Sequence, residues 1–159
     1  MIGIRAFKKS IELSFEWRLA GYNVIDTEGN TVAPVLDLLC DEDSRKPRYL
    51  MAEIGGLMGI QGKVVLLPIG MLTRAGSGQV IANSTREQMQ QAEPLDDPDN
   101  PKRREEEKIF IHYGLRPYWE VEEVVEASKE AKKEAEKDAE KKESEDEGAG
   151  PKAAGKTDA

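Results

Sequence analysis

The stretch that decides the fold runs from Val35 to Pro68. It contains V-L-D-L-L-C-D at Val35–Asp41, R-Y-L-M-A-E-I-G at Arg48–Gly55 and K-V-V-L-L-P at Lys63–Pro68. Each run is short and mostly aliphatic, and each is bounded by charged or turn-forming residues, which is typical of buried β-strands. The connection after Asp41 is charged, and the glycines between Gly55 and Gly62 favour a hairpin loop. We therefore predict three consecutive strands.

Strand signals continue on both sides of this stretch. Upstream, Gly21–Asp26 leads into a turn in which Gly29 suits a position with positive φ, and Thr31–Cys40 returns as a second strand. Downstream, Met71–Arg74 and Gln79–Ala82 flank A-G-S-G and predict a last hairpin. Short strands that recur at roughly ten-residue spacing indicate a mainly β chain that forms a small barrel.

Two segments follow the predicted strands. S-T-R-E fits a capping box with Ser84 as N-cap and Glu87 at N3, so we expect a short helix that ends at about Ala92. The segment Glu105–Tyr113 begins with a run of three glutamates that reads as solvated, and its later apolar residues occupy every second position. That alternation predicts a further strand, with His112 in a structural or surface position.

The N-terminal residues 1–16 fit two interpretations. Apolar residues at positions 4, 7, 11 and 15 share one helix face, whereas those at 11, 13 and 15 alternate as in a strand. We favour a short amphipathic arm. In that arm Phe7, Ile11 and Phe15 form an apolar stripe flanked by Lys8 and Lys9.

The chain divides into four predicted parts. An arm at 1–16 precedes a barrel at 17–94, an extension at 95–120 and an Ala/Glu/Lys-rich tail at 121–159. The tail has high helix propensity, but alanine alone offers it little apolar area to bury. We expect it to pass from helix to disorder, with disorder from Ser144 onward.

Composition limits the function classes. The net charge of −8 comes mainly from the C-terminal third, and an acidic chain is a poor candidate for neutralising nucleic-acid phosphates. Cys40 is the only cysteine and lies in an apolar run, which predicts a buried, reduced thiol. No run approaches the roughly twenty apolar residues of a membrane-spanning helix. We expect a cytoplasmic protein, either free or peripheral to a membrane.

The order of these segments resembles the PRC-barrel family. Members of this family open with a glycine-hydrophobic strand and a D-x-x-G turn, matched here by Gly21 and by Asp26 with Gly29. A second strand with two acidic positions follows, matched by Asp37 and Asp41. The next strands read R-Y/F-L-x-V/A-E and V/L-L-P, which are similar to residues 48–53 and 66–68.

Within that family the chain most resembles the cytoplasmic domain of the photosynthetic reaction centre H subunit. Its E-E-D-K-I motif and a later Tyr-Gly are similar to Glu105–Ile109 and to Tyr113-Gly114. The resemblance covers about residues 17–119 and implies a soluble, stand-alone form without the transmembrane helix. It implies a small barrel that works through contacts with other proteins. A proton-delivery role does not transfer, because the loop after Asp41 continues as Ser44-Arg45-Lys46.

The candidate site residues follow from these observations. Aromatic residues beside Gly and Pro are typical interface anchors, which singles out Tyr113, Tyr118 and Trp119. The family motifs add Arg48 and Asp41. Alternatively, the aromatic side chains fold back and cover an open end of the barrel.

Two function classes stay open. The first is a non-enzymatic interaction, adaptor or assembly module that needs no cofactor, since no nucleophile–base pair or metal-ligand spacing emerges. Its partner would be a protein, either a membrane-associated complex or a second copy, without direct nucleic-acid binding. The second class is an RNA-metabolism factor related to the PRC-barrel protein of ribosome maturation, which processes 16S rRNA.

Overall fold

The computed structural model describes residues 3–56 and 61–146. Its seven strands and three helices are, in chain order, β1 (Gly3–Arg5), β2 (Asn23–Ile25), β3 (Thr31–Asp41), β4 (Pro47–Ile54), β5 (Lys63–Pro68), β6 (Leu72–Ala75), β7 (Gln79–Ala82), α1 (Arg86–Gln91), α2 (Arg103–Tyr113) and α3 (Tyr118–Asp146). Short 3-10 turns lie at Phe15–Trp17 and Ile69–Met71. The predicted mainly β fold is confirmed.

Strand β3 organises the sheet. Its first half pairs with β2, its last residues pair with β1, and its other edge pairs with β4. The path through the curled sheet is β5-β4-β3-β2-β7-β6, with β1 attached to β3, so the strands form a half-barrel. All pairs are antiparallel except β2 with β7. The predicted turn glycine, Gly29, has a φ of 87°, as this tight connection requires.

The sheet buries both faces along β3, β4 and β5. One face supplies Leu38, Leu50 and Leu67 to the main core, which also contains Met89 of α1. Cys40 belongs to this core and is fully buried, as predicted, and burial raises the pKa of its thiol to about 11. The opposite face is also buried at Leu39, Tyr49, Met51 and Leu66. These residues need a cover, and helix α2 lies against this half of the sheet.

Helix α2 corrects the prediction of a strand at Glu105–Tyr113. Its buried residues Glu106, Ile109 and Phe110 are three and four positions apart, the spacing of one helix face. The strand prediction rested on apolar residues at 109, 111 and 113. It failed because Ile111 is 78% exposed and does not share a buried face with Ile109. Gly114, at φ 65°, ends the helix in the left-handed conformation.

Helix α1 begins one residue later than predicted. Thr85, not Ser84, is the N-cap, and its hydroxyl accepts the Gln88 backbone N–H at 3.2 Å. The Ser84 hydroxyl instead donates to the Gln88 side-chain oxygen at 2.8 Å. The observed N-cap differs from the predicted one because two adjacent residues carry hydroxyl groups that can cap the helix, and the geometry of the turn determines which of them does so.

The amphipathic arm predicted at residues 1–16 is also wrong. Residues 3–5 form β1, and the chain then turns back through Ser10, which has a φ of 52°. The buried carboxylate of Asp37 on β3 accepts the backbone N–H of Phe7 at 2.8 Å and that of Lys8 at 3.4 Å. A strand partner and a fixed acceptor therefore outweigh the helical pattern of this segment.

The chain separates into two compact units, Met1–Tyr118 and Trp119–Ala159. Described by itself, the second unit contains the helical residues up to Asp146, as the Ala/Glu/Lys composition predicts. The disorder expected from Ser144 is wrong for residues 144–146, because the helix continues through them. The rest of that prediction, at 147–159, lies outside the described residues. Among the helices described, none has the length and hydropathy needed to cross a membrane.

Candidate interaction sites

Three of the five predicted site residues meet at one end of strand β4. The guanidinium of Arg48 lies 4.0 Å from the ring centroid of Tyr118, and its Nη2 is 3.8 Å from Oδ2 of Asp41. Asp41 also accepts the backbone N–H groups of Asp43 and Ser44 at 3.1 Å. The N–H of Ser44 is the main cause that lowers the pKa of Asp41, and the charge of Arg48 adds to it.

The centre of this arrangement is a residue that sequence reasoning missed. Glu106 is fully buried, and its Oε1 accepts the hydroxyl of Tyr49 at 2.9 Å and that of Tyr118 at 3.1 Å. Its Oε2 lies 3.8 Å from Nη1 of Arg103. The Phe110 ring completes the group, with its centroid 6.0 Å from those of both tyrosines. We call Tyr49, Glu106, Phe110 and Tyr118 the Glu106 cluster.

The expectation that residues 105–107 are solvated is therefore wrong for Glu106. Burial raises the pKa of its carboxyl, against the opposing effect of the two tyrosine hydrogen bonds. Burial is also the first cause that raises the pKa of Tyr49 and of Tyr118. A helical interpretation of this segment would have placed Glu106 on the same face as Ile109 and Phe110.

The Glu106 cluster joins three parts of the first unit. Tyr49 comes from the covered face of β4, Glu106 and Phe110 come from α2, and Tyr118 ends the connection that follows Gly114. A hydrogen-bonded carboxyl between two tyrosines fixes both the helix and that connection to the sheet. The Glu106 cluster therefore has a structural role, and its carboxyl and hydroxyl groups hydrogen-bond to one another.

A second aromatic group lies in the open, on the 3-10 turn before β2. Phe15 is 74% exposed, and the guanidinium of Arg74 lies 4.1 Å from its ring centroid. Arg74 also donates to the backbone oxygen of Phe15 and to the hydroxyl of Tyr22. The ring centroid of Tyr22 is 5.0 Å from the same guanidinium. We call Phe15, Tyr22 and Arg74 the Phe15 surface.

Arg74 gives this surface its rigidity. A stacked guanidinium that also binds the backbone of the same residue holds both the ring and its turn. Sequence reasoning placed Phe15 in an apolar stripe with Phe7 and Ile11. The structure separates them, because Phe7 and Ile11 pack on the core while Phe15 does not.

Residues 18–89 match the family model of the PRC-barrel domain. This span contains a PRC-barrel domain. No curated protein matches the chain. The match covers β2 to α1, so β1, α2 and α3 lie outside it.

The match clarifies what belongs to the domain and what is added to it. Tyr22 and Arg74 of the Phe15 surface lie within the PRC-barrel domain, and Phe15 lies three residues before it. In the Glu106 cluster only Tyr49 lies within the domain, whereas Glu106, Phe110 and Tyr118 come from the segment that follows it.

The remaining predicted site residues lie elsewhere. Tyr113 packs against the main core, and in the described part of the chain its buried hydroxyl has no hydrogen-bond partner. Its neighbour His112 is helical rather than on a strand, and its Nε2 lies 2.7 Å from the backbone oxygen of Gln88, which ties α2 to α1. Trp119 is half-buried and is the first residue of the second unit.

Within residues 3–56 and 61–146, no group of three or more His, Cys, Asp or Glu side chains is arranged to hold a metal ion. Asp26 and Asp37 illustrate how the buried carboxylates are used. Asp26 accepts the backbone N–H groups of Glu28 and Asn30 at 2.9 and 2.8 Å, which fixes the turn at Gly29.

Proposed function

We propose that this protein is a non-enzymatic interaction module, an adaptor or assembly factor. Its PRC-barrel domain and the turn that precedes the domain present the Phe15 surface to a protein partner. The observation that carries the proposal is the exposed ring of Phe15, on which the Arg74 guanidinium stacks. A large aromatic side chain that is 74% exposed has lost most of the benefit of burial. Covering it in a complex would recover about 1.5–3 kcal/mol.

The stacking of Arg74 on Phe15 supports this role. Aromatic and arginine residues are the commonest anchors of protein interfaces. A ring held in place before binding has little conformational entropy left to lose, so more of its contact energy appears as affinity. Because the Nη groups of Arg74 already bind Phe15 and Tyr22, the guanidinium serves to hold the ring.

The buried acidic groups support a role without catalysis. The buried carboxyl groups described in the structure, those of Asp26, Asp37 and Glu106, all act as hydrogen-bond acceptors within the fold. Asp37 accepts backbone N–H groups of the N-terminal turn, and Glu106 accepts two tyrosine hydroxyls. Both are thus committed to holding the fold.

The nature of the partner follows from the resemblance to the reaction centre H subunit. The motifs at 35–53 and 105–114 resemble those of that cytoplasmic domain, and the resemblance implies a role through contacts with other proteins. We propose a partner of that kind, a membrane-associated protein complex, met from the cytoplasmic side. The net charge of −8 supports a protein partner over an RNA partner.

The proposal is tested by co-purification with a matched pair of variants. Tagged full-length protein, Phe15→Ala and Leu36→Ala are purified from host cells and the captured proteins are quantified by mass spectrometry. Leu36 is the control, because it is a 39% exposed apolar residue on β3. We expect Phe15→Ala to lose its partner at least tenfold, equivalent to about 1.4 kcal/mol, while Leu36→Ala retains it.

Two results would contradict this function. Identical captured sets for the wild type and Phe15→Ala would show that the ring takes no part in binding. Specific recovery of ribosomal RNA precursors, sensitive to salt, would instead support the RNA-metabolism alternative.

A further inference from the structure

A groove of about 710 Å³ lies between helix α2 and the segment that follows α1. Its apolar lining comes from both walls and consists of Ala92, Pro94, Leu95, Ile109 and Ile111. Ile111 differs from the others because 78% of its side chain is exposed. The most exposed isoleucine described in the first unit thus stands at the rim of a partly apolar hollow.

Charges around the groove are balanced. Lys102, Arg104 and Lys108 contribute three positive groups, and Glu93, Asp96 and Glu105 contribute three negative ones. Lys108 pairs with Glu93 at 2.6 Å, and Lys102 lies 3.7 Å from Asp96. On a chain with a net charge of −8, this face is electrically neutral. Two copies can therefore approach through it without the repulsion that the whole chain would otherwise impose.

We infer that this groove is a contact for a second copy of the same chain, in which Ile111 of each copy enters the hollow of the other. A two-fold axis brings the same patch of two subunits together, so a patch must complement itself. A projecting side chain beside a hollow meets that condition, because the same contact made twice places one Ile111 side chain in each hollow. Rim charges of both signs allow the cations of one copy to face the anions of the other.

This contact is separate from the Phe15 surface. The groove is built by residues 92–112, beyond the segment that matches the PRC-barrel family model. The dimer can therefore exist whether or not Phe15 binds a partner, and the two proposals can fail independently.

The test is sedimentation equilibrium of the full chain over a range of concentrations. We expect a reversible dimer for the wild type. Ile111→Thr should raise the dissociation constant at least about tenfold, because symmetry removes two buried isoleucines. Ile81→Thr is the matched control, since Ile81 is an exposed isoleucine of β7 away from the groove, and it should leave the constant unchanged.

A charge reversal tests the balance of the rim. Arg104→Glu makes the rim net negative and should weaken the dimer, whereas adding Asp96→Lys restores neutrality and should recover most of the lost association. Circular dichroism of each variant confirms that the fold is kept. A wild-type chain that stays monomeric at the highest concentration it tolerates overturns the inference. So does equal weakening by Ile111→Thr and Ile81→Thr, or capture of a different protein in the groove of a monomer.

Discussion

Replacing Glu106 with glutamine separates the charge of this buried side chain from its hydrogen bonds. The amide oxygen of glutamine can still accept the hydroxyls of Tyr49 and Tyr118, which now bond to Oε1 at 2.9 and 3.1 Å. The titration of the group disappears, together with the charge that Oε2 presents to Arg103 at 3.8 Å. The substitution therefore reports the net cost of ionising a fully buried carboxyl inside the Glu106 cluster.

The sign of the effect follows from the pKa, which burial raises above the ordinary value of 4.5. The native state then holds the proton more tightly than the unfolded chain, so this contribution to stability is complete below the unfolded pKa. It is lost as the pH rises through the native pKa. Between the two values, the wild type should lose about 1.4 kcal/mol per pH unit relative to Glu106→Gln.

The assay is urea unfolding of both proteins at a series of pH values from 4 upward. All other titrating groups are common to both chains, so the difference in unfolding free energy reports Glu106 alone. Glu107→Gln is the matched control for the chemical change itself, because this neighbouring glutamate is exposed. Parallel curves for the wild type and Glu106→Gln would refute the reasoning. A wild type that gains on the variant as pH rises would show an ionised Glu106 stabilised by Arg103.

Three further predictions concern the rest of the chain. Asp37→Ala should lower the unfolding free energy by about 2–4 kcal/mol, since it removes the charged acceptor of the N-terminal turn, and Asp37→Asn should cost less in the same urea titration. Cys40, whose pKa is raised to about 11, should resist alkylation by iodoacetamide at neutral pH and react only as the protein unfolds. A chain ending at Val125 should melt within about 2–3 °C of the full chain by scanning calorimetry. A loss above ten degrees would show that the removed segment stabilises the barrel.

The strands were predictable because local and tertiary signals agree in them. Val35–Asp41 and Lys63–Pro68 combine β-forming residues with boundaries that no helix tolerates, and Gly29 marks a turn whose backbone demands glycine. In such segments the burial of apolar side chains stabilises the β conformation that the residues already favour. The sheet order was not accessible in the same way, since the parallel pairing of β2 with β7 depends on a contact distant in sequence.

The errors arose where local periodicity was ambiguous. Apolar residues at 109, 111 and 113 satisfy a strand, and only the burial of Glu106 and Phe110 reveals a helix face. A glutamate in an acidic run is expected to face water. A helical interpretation places Glu106 on the buried face, but its partners Tyr49 and Tyr118 are known only from the fold. At the N-terminus, the conformation of the segment depends on the carboxylate of Asp37, which accepts the Phe7 N–H and lies thirty residues further along the chain.

The candidate site was predicted only in part. Arg48, Asp41 and Tyr118 were chosen separately and do meet, but they meet at a partly buried position beside the Glu106 cluster rather than on an open surface. The open aromatic surface is formed by Phe15 with Arg74, residues that lie on different elements. Their stacking depends on the tertiary fold, so no local sequence motif predicts it.

The most direct test of the interaction role is photo-crosslinking from position 15 in living host cells. A photoreactive phenylalanine analogue replaces Phe15 in the full chain, and a control carries it at Glu28, an exposed residue of the turn before β3. The proposal predicts a defined protein adduct from position 15 that is absent from position 28. No adduct from position 15, the same adducts from both positions, or crosslinks to RNA would contradict it.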